Sequence, residues 1–295
     1  MPSLNGDGGR NGGITDNMGD LLSGLESMGL GNLKGMSLFG EEKKEEAKTE
    51  EVKKGPSEAD FIFDKTYECP VCDQEFKAKT IRTGKVKLTT TDVDLRPIYQ
   101  EVDCLKYDAV ACPICGYASI AKFFNTITGA QAKLVRENIS NSFKGLGPDP
   151  EVYSYDDAIA RHKLALVNTM VKRARSSEKA YTCLKTAWLL RGKAENLPDD
   201  TPNFEEVTAA LHKEEVELLG NAYTGFMDAF SKEGFPICGM DEITLTYLLA
   251  ELARRVGKNE ESLRWVSRVL ISKNASERIK SRAREIKELI TGEAG

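Results

Sequence analysis

Histidine and tryptophan are scarce in this chain, with two of each among 295 residues, and aromatic residues make up only 7%. The two histidines, His162 and His212, fall on separate predicted helices, so a histidine-rich metal site is excluded. Each reads as a surface or half-buried helix residue rather than a catalytic base. No phosphate loop, GxSxG elbow or HExxH pair occurs, which removes the common hydrolase and nucleotide-binding signatures. Asp92 and Asp94 read as turn or surface groups, not as a catalytic pair. No apolar run approaches the roughly 18 residues of a membrane span. The N-terminus has no basic stretch leading into an apolar core, so no signal peptide is expected and the protein is placed in the cytoplasm, away from membranes. The formal charge of −5 is small and uneven. Residues 1–60 hold seven Lys/Arg against twelve Asp/Glu, leaving the remainder neutral.

What the chain does have is cysteine in a pattern. Cys69-Pro70-Val71-Cys72 and Cys112-Pro113-Ile114-Cys115 are two near-identical turns that take four of the seven cysteines. A CxxC turn aims two sulfurs at one point, and two such turns supply the four thiolates of a tetrahedral Zn²⁺ at about 2.3 Å. In a reducing compartment such pairs read as metal ligands rather than disulfides. One structural Zn²⁺ held by Cys69, Cys72, Cys112 and Cys115 is therefore expected. Rubredoxin-type iron suits the same spacing, and a redox dithiol is the other rival. Four thiolates fill every coordination position, so the ion would be structural and not catalytic. Cys104 is expected to be a stray thiol, with a role as an alternative ligand left open. Cys183 and Cys238 are expected in the core.

Four regions follow from composition and periodicity. Residues 1–60 form an acidic tail. Within it, 1–15 are expected to be disordered, and 41–54 form a Glu/Lys linker. The short apolar segment at 16–39 reads as part of a disordered tail with a few exposed leucines, and the alternative is a motif that docks on a partner or on this chain. Residues 61–125 form a zinc-ribbon-like β module, with strands near Phe61–Tyr67, Val86–Thr91 and Tyr107–Ala111 in one small sheet. Residues 126–152 are a linker. From 153 to 295 the spacing predicts six helices, the first opened by a Ser154/Asp157 capping box and the fourth capped by Asp241. Leu249, Ala250, Ala253, Gly257, Ser262 and Val266 have the small-residue spacing of a tetratricopeptide repeat; only this one unit shows it clearly, and an ordinary helical bundle with one repeat-like hairpin is the alternative to a repeat stack. The fold class is thus α+β, a β module followed by a helical, tetratricopeptide-like domain.

The stretches Tyr67–Cys72, Thr91–Asp94 and Tyr107–Ala118, with Arg254–Trp265 in the helices, resemble a family of uncharacterised bacterial proteins of clostridia and bacilli. It is number 2225 among domains of unknown function. The resemblance covers about residues 60–290. It implies paired knuckles followed by a repeat-like helical region and brings no established activity. Relatives often carry an aromatic in the strand before the second knuckle, where this chain has Ala109-Val110-Ala111.

These readings lead to a non-enzymatic zinc-binding adaptor or scaffold that takes a protein or peptide on its helical domain. The alternative is RNA binding through the zinc ribbon and the basic end of the chain, where Arg278, Lys280, Arg282, Arg284 and Lys287 cluster. Nothing in the sequence marks a small-molecule substrate.

Overall fold

Six short strands come first, each paired only with its neighbour. β1 (Ile62–Glu68) and β2 (Glu75–Ile81) form an antiparallel hairpin in register Ile62 to Ile81 through Glu68 to Glu75. β3 (Leu88–Thr91) pairs with β4 (Pro97–Tyr99), and β5 (Ala109–Ala111) with β6 (Ala118–Ile120). The three pairs are separate two-stranded sheets, not the one small sheet expected. β2 was not expected because its lysines read as a charge cluster. It nonetheless alternates, and Phe76 and Ala78 turn inward. The computed structural model describes residues 56–292. The apolar segment 16–39, the stretch 1–15 and the Glu/Lys run 41–54 lie outside the described residues.

The stretch expected as a linker contains α1 (Gly129–Val135), opened by a capping box between Thr128 and Gln131. Six helices then follow: α2 (Tyr155–Val171), α3 (Ser176–Glu195), α4 (Phe204–Lys232), α5 (Glu242–Arg255), α6 (Asn259–Ile271) and α7 (Glu277–Thr291). The architecture is α+β, small antiparallel sheets followed by a helical bundle. Ser154 and Asp157 form the capping box of α2, and Asp241 Oδ1 accepts from Thr244 N at 2.7 Å at the start of α5. Each satisfies a backbone N–H that the first turn leaves without an intrahelical partner.

The main core lies between α3, α4 and α5, built on Leu184, Trp188, Leu219, Phe226, Leu245 and Leu249. Gly225 lets α4 approach α3, since a Cβ there would stand 2.9 Å from Ala180 Cβ. The α5–α6 hairpin is equally close. Ala250, Ala253 and Ser262 are fully buried, and Ser262 Oγ donates to Ala250 O at 2.7 Å. α2 packs on β5 and β6, whose six residues are all buried. Ala111, Ala118 and Ala165 meet there. The small side chains of Ala109-Val110-Ala111 leave room for α2 to lie directly on the strand. No helix of the described residues is long and apolar enough to cross a membrane.

Candidate metal centre

Both cysteine turns are the tips of hairpins. Residues 69–74 join β1 to β2, and residues 112–117 join β5 to β6. The two tips fold alike. Cys69 N donates to Gln74 O at 3.0 Å and Asp73 N to Cys69 O at 2.9 Å. In the second tip Cys112 N donates to Tyr117 O at 2.8 Å and Gly116 N to Cys112 O at 3.1 Å. The residue after each second cysteine sits in the left-handed region, Asp73 at φ 56° and Gly116 at φ 75°. Glycine is required at the second position. A Cβ on Gly116 would lie 2.6 Å from Phe143 Cγ, and the left-handed conformation itself disfavours a side chain.

The tips bring all four sulfurs within 4.8 Å of one another. Cys69 Sγ is 3.6 Å from Cys115 Sγ, and Cys72 Sγ is 3.8 Å from Cys112 Sγ. Four sulfurs at tetrahedral corners 2.3 Å from one ion stand about 3.8 Å apart. Two of the sulfur pairs already stand at that spacing, and the cluster could hold a metal ion. Because each close pair takes one cysteine from each turn, the turns share one centre rather than forming two independent dithiols. Cys69, Cys112 and Cys115 are buried, and Cys72 is half-buried.

The surroundings hold the tips in place. Val71, Phe76, Val110, Tyr117, Phe124 and Val135 pack around the sulfurs. Arg136 Nη1 donates to Val71 O, tying the turn after α1 to the first tip. Asn168 Nδ2 of α2 donates to Gly116 O at 3.0 Å, tying the helical bundle to the second. Lys79 pairs with Asp64 and Asp149 at 3.2 and 3.1 Å. Hydrogen bonds from Cys115 and Cys69 hold the Cys112 thiol well below its ordinary value, and donating to Cys112 drives Cys69 and Cys115 up. A divalent cation removes that conflict, because it binds the deprotonated form of every ligand.

The other cysteines stand apart. Cys104 lies outside the cluster, and its Sγ contacts Val102 O at 3.8 Å. Burial pushes its thiol up to about 12, that of Cys238 to about 12 and that of Cys183 to about 11. All three stay protonated at neutral pH and are poor nucleophiles. Cys183 is buried as expected, while Cys238 is only partly so.

Two expectations about charged residues are corrected. His162 is not a surface or half-buried residue but is entirely buried in α2, with Nδ1 2.8 Å from Ala158 O. Asp94 lies in the β3–β4 turn as expected, but at the centre of a buried ion network rather than at the surface. Its carboxylate accepts from Arg191 Nη2 at 2.6 Å, Arg191 Nη1 at 3.1 Å and Trp188 Nε1 at 3.0 Å. Burial alone would raise the Asp94 carboxyl. Hydrogen bonds and charge from Arg191, with Arg255 and Trp188, outweigh it and hold the group below its ordinary value. Arg191 also donates to Glu215 Oε1 at 2.7 Å, while Arg254 and Arg255 both bond to the fully buried Glu251. The network joins Asp92 and Asp94 to arginines about 100 and 160 positions later. Each partner alone reads as an ordinary surface charge; the nearest signal was that Thr91–Asp94 and Arg254–Trp265 were both stretches of the family resemblance.

No curated protein and no solved structure matches the chain. The family model described as "Uncharacterized protein conserved in bacteria (DUF2225)" matches residues 62–290, from the start of β1 to the last turn of α7. With most of its length matched and its cysteine cluster assembled, the chain belongs to this bacterial family.

Proposed function

We propose that the protein is a non-enzymatic scaffold, stapled by one structural zinc ion, that presents its helical bundle to a protein or peptide partner. The observation that carries the reading is the spacing of the four sulfurs, which suits a closed four-thiolate site with no position left for a substrate. In this reading Cys69, Cys72, Cys112 and Cys115 hold the zinc in a ribbon-like module. The ion contributes roughly 10–16 kcal/mol of binding free energy to the folding of hairpins too short to stand alone. The α5–α6 hairpin, with its small-residue contact, is the tetratricopeptide-like part of the binding surface. RNA binding is the weaker reading. Arg282 donates to Thr91 Oγ1 at 2.8 Å, and Arg284 and Lys280 both lie 3.6 Å from Glu277, which leaves less free charge for phosphate.

Metal analysis of the purified full chain should find one zinc per chain. Cys112→Ser should lose it and raise amide exchange across 62–140 while α3 to α7 stay protected. Metal-free protein with the same exchange pattern as the metal-loaded form would refute the staple. For the partner, crosslinking in the native host should join a specific protein to peptides of α4 to α6. RNA crosslinked in its place would overturn the scaffold reading.

A further inference from the structure

A cleft of about 540 Å³ opens between α3, α4 and α5, directly above the ion network. Behind two of its lining arginines, the buried Glu251 accepts from Arg254 Nε and Nη2 at 2.8 and 2.7 Å and from Arg255 Nε at 2.7 Å. One fully buried carboxylate thus fixes two adjacent guanidinium groups and uses only part of each. Arg255 Nη1 and Nη2 and Arg254 Nη1 make no hydrogen bond among the described residues. The two side chains keep 24% and 25% of their surface open. The carboxylates on the same wall are engaged elsewhere: Glu195 accepts twice from Arg96 Nη2, and Glu215 from Arg191 Nε. Arg191 directs four of its five N–H groups to Asp92, Asp94 and Glu215 and serves as a strut. His212 stands at the mouth with Nδ1 3.4 Å from Glu215 Oε2, and Val216 and Leu219 supply an apolar side.

We infer that this cleft binds a small organic anion, its carboxylate or phosphate held by the outer N–H groups of Arg254 and Arg255 and its apolar part lying on Val216 and Leu219. A buried ion network is weak support for stability, because desolvation cancels most of its attraction. Its consequence here is orientation: it holds a planar fork, suited to an oxyanion, at a concave surface. The volume falls in the range of ligand pockets, and few convergent polar groups beside an apolar wall is their usual make-up. The four arginines of the network face five carboxylates, so attraction comes from placed donors rather than from net charge. The site is independent of the zinc and of any partner protein.

The test titrates the full, metal-loaded chain with hexanoate, hexyl phosphate and neutral hexanol, followed by calorimetry and amide NMR. Saturable binding of at least one anion is expected, with shifts at α3, α4 and α5, and the stronger of the two identifies the headgroup. Arg255→Gln should weaken it by about tenfold or more, the loss of a charge-assisted bond. Arg264→Gln, on the outer face of α6 and 78% exposed, should leave it unchanged. If Arg255→Gln fails to fold, Arg254→Gln makes the same comparison. Equal binding of hexanol, equal loss in Arg264→Gln, or no saturation by either anion up to about 10 mM would overturn the inference.

Discussion

His162 makes the stability of this protein depend on pH between about 4 and 6.5. The ring is wholly buried in α2, Nδ1 lies 2.8 Å from Ala158 O, and Nε2 has no partner. Burial lowers its pKa from 6.5 to about 4, with Asp108 pulling weakly the other way and Lys185 adding to the shift. The unfolded chain takes up a proton below pH 6.5, and the folded chain does so only near 4. The unfolded state therefore binds more protons across this interval, and stability falls as pH falls. Above pH 6.5 there is no effect. The loss is about 2 kcal/mol at pH 5 and about 3 kcal/mol at pH 4, where it nears its limit. Urea unfolding of the full chain at pH 7.5, 5 and 4 measures it against His162→Asn, whose side-chain amide can donate to Ala158 O without titrating. The variant should lose about 3 kcal/mol less than the parent between pH 7.5 and 4. Parallel losses in the two proteins would show that His162 titrates normally in the fold and would refute the argument. By NMR, the His162 ring should still carry the shifts of the neutral form at pH 5.

Three other outcomes follow from the packing. Gly116→Ala combines a left-handed backbone with a clash on Phe143 and should cost about 2 kcal/mol or more in urea unfolding. Gly145→Ala, at φ 96° with nothing within 4 Å of the new Cβ, should cost only the backbone part; equal losses would count against the clash. Asp94→Asn should destabilise by about 3–5 kcal/mol, because it leaves Arg191 buried with less counter-charge. The Asp94 carboxyl is depressed in the fold, so its contribution is complete above pH 3.8 and is lost as pH falls through the lower folded value. The acid limb below pH 4 should thus flatten in Asp94→Asn, as read by circular dichroism. Asp149→Ala removes pairs to Lys79 and Arg161 from a half-exposed carboxylate and should cost about 1 kcal/mol or less in the same urea assay. A loss as large as that of Asp94→Asn would contradict the ranking by burial.

Local chemistry made much of the molecule legible in advance. The six helices α2 to α7 follow from caps and apolar spacing, signals that act within one or two turns. Ser154 with Asp157, and Asp241, cap the same helices in the fold that they mark in the chain. The Cys69–Cys72 and Cys112–Cys115 turns are also local objects, and their shared ligand chemistry points to one centre before any contact is known. β2, β4 and β6 were less legible. Strands of three to seven residues, stabilised by a partner rather than by their own periodicity, leave a faint trace. α1 is only seven residues long, and its apolar Ala132 and Val135 find their purpose against the cysteine cluster.

The sequence by itself determined the helices α2 to α7, the hairpin tips and the identity of four metal-ligand candidates, because these depend on residues close together in the chain. Tertiary structure alone decided where the charges went. Asp94 and Arg255 lie 161 positions apart, and nothing near either one distinguishes it from a solvated surface residue. Only when the β3–β4 turn meets α3 and α5 does burial remove water, and each charge must then find its partner. That long-range convergence turned two ordinary-looking stretches into a fixed pair of guanidinium groups at the base of a cleft. It also buried His162, whose protonation the fold opposes.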